Sequence, residues 1–329
     1  MADPMIVPQY WAEGRLQHRD KRRQVTVRRF GWSDVSQADA QANADARVQA
    51  ALARLVAGEK LPKREPKIPY NGAAGVPIRE EIVGRHGETI ITRNSYGARC
   101  LNTPNVLFVD IDFQDKPGMR LTGAIFALLL LAAGAIAWGL HSKWYGIGAA
   151  VLAVILGYGI STRLNNLAQR ARGGVEGAVR ARIATFIATH PDWHLRLYRT
   201  PAGMRVLAMH RTFDPEEPAV AECFHALGAD PIYTRMCLNQ HCFRARVSPK
   251  PWRIGIAAHM RPSPGVWPVK PERLPDRNRW IEAYEQVARD YASCRFVEDV
   301  GSGAVSPEAQ AVQVLHDELC QATGAAPIA

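Results

Sequence analysis

Residues 103–140 read TPNVLFVDIDFQDKPGMRLTGAIFALLLLAAGAIAWGL, a short apolar strand ending in two aspartates and running almost at once into a lipid-compatible segment. In the first part, NVLFVDIDF has the near-continuous apolar character of a buried strand, and Asp110 and Asp112 share one side because strand side chains alternate. In the second part, every residue from Leu121 to Leu140 except Thr122 is apolar or glycine. At 1.5 Å of rise per residue that is about 30 Å of helix, the thickness of a hydrocarbon core. The two parts together predict a soluble sheet domain into which a membrane segment has been inserted.

A second apolar run, Trp144 to Ile160, follows the short connection His141-Ser142-Lys143, so residues 121–140 and 144–160 are expected as antiparallel transmembrane helices. Lys116 and Arg120 precede the pair, Arg163, Arg170 and Arg172 follow it, and the loop holds only Lys143. The positive-inside rule then puts both long flanks in the cytoplasm. Trp138, Trp144 and Tyr145 sit where an interfacial aromatic belt belongs, and glycines at 134, 139, 146, 148, 157 and 159 permit close helix approach. Neither run contains an ionisable residue, so the expectation is an anchor and not a transport path. The N-terminal MADPMIVPQYWAEGRLQHRD lacks the apolar core of a secretory signal.

The chain has 329 residues, of which 47% are hydrophobic, a composition that excludes collagenous and mostly disordered classes. Lys and Arg number 41 against 31 Asp and Glu, a balance that favours polyanionic partners: nucleic acid, nucleotides or acidic headgroups. Among the six cysteines only Cys237 and Cys242 are close in sequence; with no second such pair, a zinc site there would need His241 or His225, and reduced, part-buried thiols are the expectation. Neither G-x-x-x-x-G-K-[ST] nor G-x-G-x-x-G occurs.

Residues 1–105 read as an N-terminal α+β region. RQVTVRRFGW is strand-like, Ser33 or Ser36 can cap the Ala-rich helix that Gly58 stops, KLPKREPKIPYNGAAGVPI is an irregular basic connection, and EIVGRHGETIITRN alternates about His86-Gly87 as a hairpin. Residues 106–113 and 174–255 read as a core. NVLFVDIDF is followed by a helix with Val175, Val179, Ile183, Phe186 and Ile187 on one face, then by WHLRLYRT and MRVLAMHR about the turn PAG. A helix ended by Gly228 and the alternating CFRARVS complete a β-α-β-β-α-β order, the ferredoxin-like arrangement. Residues 256–329 form a basic Pro-rich loop and a helical end: NRWIEAYEQVARDYASC is amphipathic, and Ser306 caps a final helix.

A ferredoxin-like sheet carries its helices on one face, so parity decides what the other presents. Asp110 and Asp112 share a side, as do Arg244 and Arg246, and His210 is in step with Val206 and Ala208. If all three sets point the same way, the open face holds two carboxylates, two guanidiniums and an imidazole, the parts of a Mg²⁺ or Mn²⁺ site for phosphate chemistry. Asp110, Asp112 and His210 are then the catalytic candidates, with Arg244 and Arg246 on phosphate.

GADPIYTRMCLNQHCFRARVSPKPWR resembles the third-motif region of the archaeo-eukaryotic primase and primase-polymerase superfamily through Asp230, Ile232-Tyr233, Phe243-Arg244, Ser248 and Lys250. Asp110-x-Asp112 is similar to that superfamily's first motif and Ala208-Met209-His210 to its second, with Ala208 where serine is usual. The resemblance implies an RRM-like core, Asp110, Asp112 and Asp230 on a divalent metal, and His210, Arg244 and Lys250 on a nucleotide triphosphate. VLFVDIDF is also similar to the first strand of diguanylate cyclases, although the corresponding turn, TPAGM, lacks their acid. TRNSYGARCLNTP and FRARVSPKPWR resemble stretches of bacterial membrane proteins, which implies a bacterial inner membrane, and the charge count above puts both termini on its cytoplasmic side. Two functions follow: a membrane-anchored, metal-dependent nucleotide or nucleic-acid binder that acts as a nucleotidyltransferase, or a non-catalytic membrane scaffold or sensor with a degenerate palm-like domain.

Overall fold

The structure is a computed structural model, and it describes residues 7–20, 23–65, 76–113, 116–171, 173–263 and 267–329. Most of the connection at 60–78, part of the Pro-rich stretch at 260–280, and Arg172 lie outside the described residues. The chain is a mixed α+β protein of two compact units, Met1–Ile111 with Ile187–Ala329, and Asp112–Phe186.

The first unit opens with β1 (Tyr10–Asp20) and β2 (Arg23–Ser33), an antiparallel pair, followed by α1 (Gln37–Val56). Ser36 is the N-cap, its hydroxyl accepting from the Asp39 amide at 3.1 Å. α1 buries Ala40, Ala44, Val48 and Ala51, a stripe of mostly small side chains at helical spacing. The strands meet it with glycine: a Cβ at Gly14 or Gly31 would fall 2.5 or 2.2 Å from Ala44 backbone atoms. Small residues on both sides are what let helix and strand backbones come this close. β2 and α1 were expected, whereas β1, whose polar alternation carries little apolar signal, was not.

Next come β3 (Glu81–His86), β4 (Thr89–Arg93), β5 (Arg99–Thr103) and β6 (Phe108–Asp112). The second unit holds α2 (Met119–Gly139), α3 (Lys143–Ala171) and most of α4 (Gly174–Thr189). The chain continues through β7 (His194–Thr200), β8 (Gly203–Ala208), α5 (Pro218–Leu227), α6 (Pro231–Gln240), β9 (Phe243–Arg246), α7 (Leu274–Ala288), β10 (Arg295–Gly301) and α8 (Pro307–Cys320). α5 ends at Gly228 in the left-handed region, and α8 is capped by Ser306 as its sequence predicts.

Two four-stranded sheets result, in the orders β10-β7-β8-β6 and β3-β4-β5-β9. β6 and β8 are neighbours across the long insertion between them, with the Ala208 amide donating to the Leu107 carbonyl at 3.0 Å. The expected closing strand is elsewhere. β9 pairs antiparallel with β5, Leu101 opposite Ala245, and extends the N-terminal hairpin, while β10 supplies the fourth strand beside β7. The single βαββαβ sheet of the sequence reading is therefore corrected to two sheets. The physical reason is that Phe-Arg-Ala-Arg specifies a half-buried strand but not its partner, and β5 offers an edge for it.

In the second unit α2 and α3 are long and apolar enough to cross a membrane. They pack on each other through small residues: a Cβ at Gly146 would meet Ala137, and one at Gly157 would meet the Phe126 ring. Their other faces leave Leu128, Leu131 and Ile155 about two-thirds or more exposed (68%, 73% and 68%). α3 runs past the expected end at Ile160 into polar residues that include the exposed Arg163.

Candidate functional site

The sheet β10-β7-β8-β6 has one apolar and one charged face. Leu195, Leu197, Val206 and Ala208 are buried on the first. On the second, register puts Tyr198 opposite Arg205, and Asp299 opposite Arg196. Asp110 joins that face through Arg205, which donates from Nε to Oδ1 at 2.7 Å and from Nη2 to Oδ2 at 3.3 Å. The guanidinium is 2% exposed, and the carboxylate at its side holds it firmly protonated against the opposing effect of burial. Its Nη1 donates to the Arg246 carbonyl at 2.9 Å, tying β8 to β9 in the other sheet.

α8 supplies the remaining charged partners. Arg205 Nη1 lies 3.2 Å from His316 Nε2, and His316 Nδ1 lies 3.0 Å from Asp317 Oδ1. Asp317 also accepts from Arg196 Nη2 at 2.9 Å and from Gln313 Nε2 at 2.6 Å. Burial alone would push its carboxyl up, but hydrogen bonds from His316, Tyr198 and Gln313 and the imidazole's charge outweigh that and hold it at about 2. Arg196 reaches Asp299 at 2.9 Å. These groups form one chain, Asp110, Arg205, His316, Asp317, Arg196, Asp299, in which each arginine lies against a carboxylate and His316 bridges Arg205 and Asp317.

Cys294 and Cys320 adjoin His316, with Sγ to Nε2 distances of 3.9 and 3.5 Å. Among the described residues, Cys294, His316 and Cys320 form the one group of three potential metal donors whose ligand atoms all lie within 4.8 Å of one another. A hydrogen bond from Cys320, the contact with His316 and the charge of Arg205 draw the Cys294 thiol well below its ordinary value despite burial. Burial drives Cys320 the other way.

The residues singled out in the sequence are distributed differently from the expected open face. Asp110 lies on the charged face but is held by Arg205. Asp112 is the exposed end of β6 and begins the second unit. Asp230 caps α6, accepting from the Ile232 amide at 3.1 Å, while its own amide donates to the Asp110 carbonyl at 3.0 Å. His210 lies past β8, in step with the opposite, apolar face. Its ring packs on Trp193 and Phe213 at 4.7 and 5.4 Å, and its Nδ1 accepts from the His194 amide at 3.3 Å. Arg244 is buried in the other sheet against Glu80 at 2.6 Å. Arg246 contributes its carbonyl to Arg205, and Lys250 lies 5.5 Å over the Trp252 ring. The expected convergence of His210, Arg244 and Lys250 on the two aspartates is thus corrected: β8 parity sends His210 to the far face, and β9 carries Arg244 into another sheet.

Carboxylates, guanidiniums and an imidazole do gather on one face, but they are Asp110, Asp299 and Asp317, Arg205 and Arg196, and His316. Arg196 and Arg205 stood in the quoted alternating strands, with a parity opposite to that of His210. Cys294 is remote in sequence from the His316-Cys320 pair, whose four-residue spacing in HDELC was the one local signal. Comparison of the chain with family models, curated proteins and solved structures gives no match.

Proposed function

We propose that this protein is a non-catalytic, membrane-anchored scaffold or sensor: α2 and α3 form a two-pass anchor, and the α+β unit is a cytoplasmic binding module. The observation that carries the reading is the apolar surface that α2 and α3 leave exposed along helices of spanning length. No ionisable side chain interrupts residues 121–140 or 144–160, which supports an anchor over a conduit. Lys116, Arg120, Arg163 and Arg170 flank the hairpin, against Lys143 alone in the loop, which supports cytoplasmic termini at a bacterial inner membrane.

Non-catalytic use of the α+β unit is supported by the way its charges are spent. Asp110 is neutralised by Arg205 and Arg244 by Glu80, so a metal on Asp110 would have to share its carboxylate with a buried guanidinium. The test is topological. A cysteine at Ser142 should react with a membrane-impermeant maleimide added to intact spheroplasts, whereas one at Gln310 should react only after lysis. Labelling of Gln310→Cys from outside would overturn the orientation, and recovery of the chain in the soluble fraction would overturn the anchor.

A second reading, binding of nucleotide or nucleic-acid phosphates through Mg²⁺ or Mn²⁺ by the α+β unit, is favoured by one contact. The Asp230 amide donates to the Asp110 carbonyl, so α6 starts beside the acidic end of β6. Its test is Mn²⁺-dependent binding of a labelled nucleoside triphosphate by the detergent-solubilised chain and by Asp112→Ala/Asp230→Ala, which leaves the Arg205–Asp110 pair intact. Equal binding by both proteins would remove this reading.

A further inference from the structure

We propose that Cys294, His316 and Cys320 form a binding site for a thiophilic d¹⁰ metal ion, Zn²⁺ or Cu⁺. Each of the three side chains is fully buried, at 0% exposure. His316 and Cys320 are four residues apart on α8, hence on the same face of the helix. Cys294 comes from the segment entering β10, and backbone bonds fix it there: Ser293 N to Cys320 O at 3.0 Å and Phe296 N to Ala322 O at 2.9 Å.

The spacing of the donor atoms matches a metal and not only a packed core. Tetrahedral zinc with Zn–S near 2.3 Å and Zn–N near 2.0 Å needs sulfur and nitrogen ligands about 3.5 Å apart and sulfurs about 3.8 Å apart. His316 Nε2 lies 3.5 Å from Cys320 Sγ and 3.9 Å from Cys294 Sγ, and all three donor atoms fall within 4.8 Å. The two S···N edges already have the required lengths to within about 0.4 Å, and the sulfur–sulfur edge closes within the 4.8 Å limit.

The surroundings are those of a ligating histidine. Asp317 faces Nδ1 at 3.0 Å, which favours the proton on that nitrogen and leaves the Nε2 lone pair toward the sulfurs, and Asp317 is itself held by Arg196 and Gln313. Arg205 Nη1, 3.2 Å from Nε2, faces the same lone pair, so loading exchanges that contact for the ion while Nη1 keeps the Arg246 carbonyl and Asp110 balances the guanidinium's charge. Loading either ion releases two protons from the cluster in all and leaves two thiolates and an imidazole whose Nε2 is unprotonated. Zn²⁺ leaves the ligand set neutral, and Cu⁺ leaves it with one negative charge beside the Arg205 donor. Thiolate and imidazole donors together select soft or borderline ions over Mg²⁺.

The experiment uses the full-length, detergent-solubilised protein, reduced and stripped with a chelator, then titrated against a chromogenic competitor with Zn²⁺ and, anaerobically, with Cu⁺. The expected result is one ion per chain, lost in Cys294→Ser/Cys320→Ser and weakened about tenfold to a hundredfold by Asp317→Asn. The ion that wins in competition is the one the site takes. A readout on the unaltered chain guards against a variant that does not fold: bound metal should protect Cys294 and Cys320, identified by mass spectrometry, from alkylation under partial denaturation. Failure of the reduced wild-type protein to bind either ion overturns the proposal. So does full binding by the double serine variant, or a Cys294–Cys320 disulfide in protein isolated with thiols trapped.

Discussion

Arg205 grips Asp110 through two hydrogen bonds, 2.7 Å from Nε and 3.3 Å from Nη2, while its Nη1 reaches across to the Arg246 carbonyl of the other sheet at 2.9 Å. One buried cation thereby neutralises the aspartate in the middle of β6 and joins two sheets. The cost of stripping such a charge of its partner is usually larger than the net stabilisation the pair supplies.

Asp110→Ala should accordingly destabilise the chain by about 3 kcal/mol, the lower part of the range for an orphaned buried charge, because the Asp110 side chain is still 34% exposed. Asp112→Ala, at the exposed end of the same strand, should cost less than Asp110→Ala because it orphans no buried charge of Arg205. Denaturant unfolding of both variants in one detergent measures the contrast. Equal effects would mean that Arg205 is not the partner that matters.

The glycine at position 31 makes a second, steric prediction. A methyl group there would lie 2.2 Å from the Ala44 amide nitrogen and 2.3 Å from the Ala40 carbonyl oxygen, both backbone atoms that cannot rotate away. Gly31→Ala should cost roughly 1–3 kcal/mol by forcing α1 off the β1-β2 pair. Gly58→Ala meets no atom within 4 Å, and any loss there comes from its positive φ of 92°. Protease nicking within 37–56 should accelerate in the first variant and not in the second.

His210 predicts a pH dependence. Burial, together with the neighbouring charge of Arg211, lowers its pKa below the ordinary 6.5, and its Nε2 is a buried atom without a hydrogen-bond partner. Between 6.5 and the lower folded value the unfolded chain binds a proton that the native chain refuses, so this contribution to stability rises with pH across that window. Acidification from pH 7 through that window should lower the unfolding midpoint, and His210→Phe should remove that part of the slope while keeping the ring contacts with Trp193 and Phe213. An unchanged slope in the variant would assign the effect to other groups.

For the hairpin, Leu131→Arg puts a charge on an exposed position near the middle of α2, where insertion costs about 3 kcal/mol for arginine. The variant should shift from the alkali-resistant membrane fraction toward the extractable one, whereas Leu131→Ile should behave as wild type. Retention of both would require that this face not meet lipid.

Local patterns determined much of this protein. Uninterrupted apolar runs yielded both helices of the hairpin and the strand β6, helical periodicity with Ser36, Ser306 and Gly228 marked ends of α1, α8 and α5, and strand alternation marked β2, β3, β4, β7, β8 and β9. These features depend on neighbours along the chain, and a sequence carries them directly. Tertiary structure decided which edges paired and which side chains met. Nothing within Phe-Arg-Ala-Arg distinguishes β5 from β6 as a partner, and nothing in the spacing of Asp110, Arg205, Cys294 and His316 announces that they share one buried volume. Strand pairing and charge compensation are settled by contacts between distant segments, where burial makes an unpaired group costly and so selects the partner.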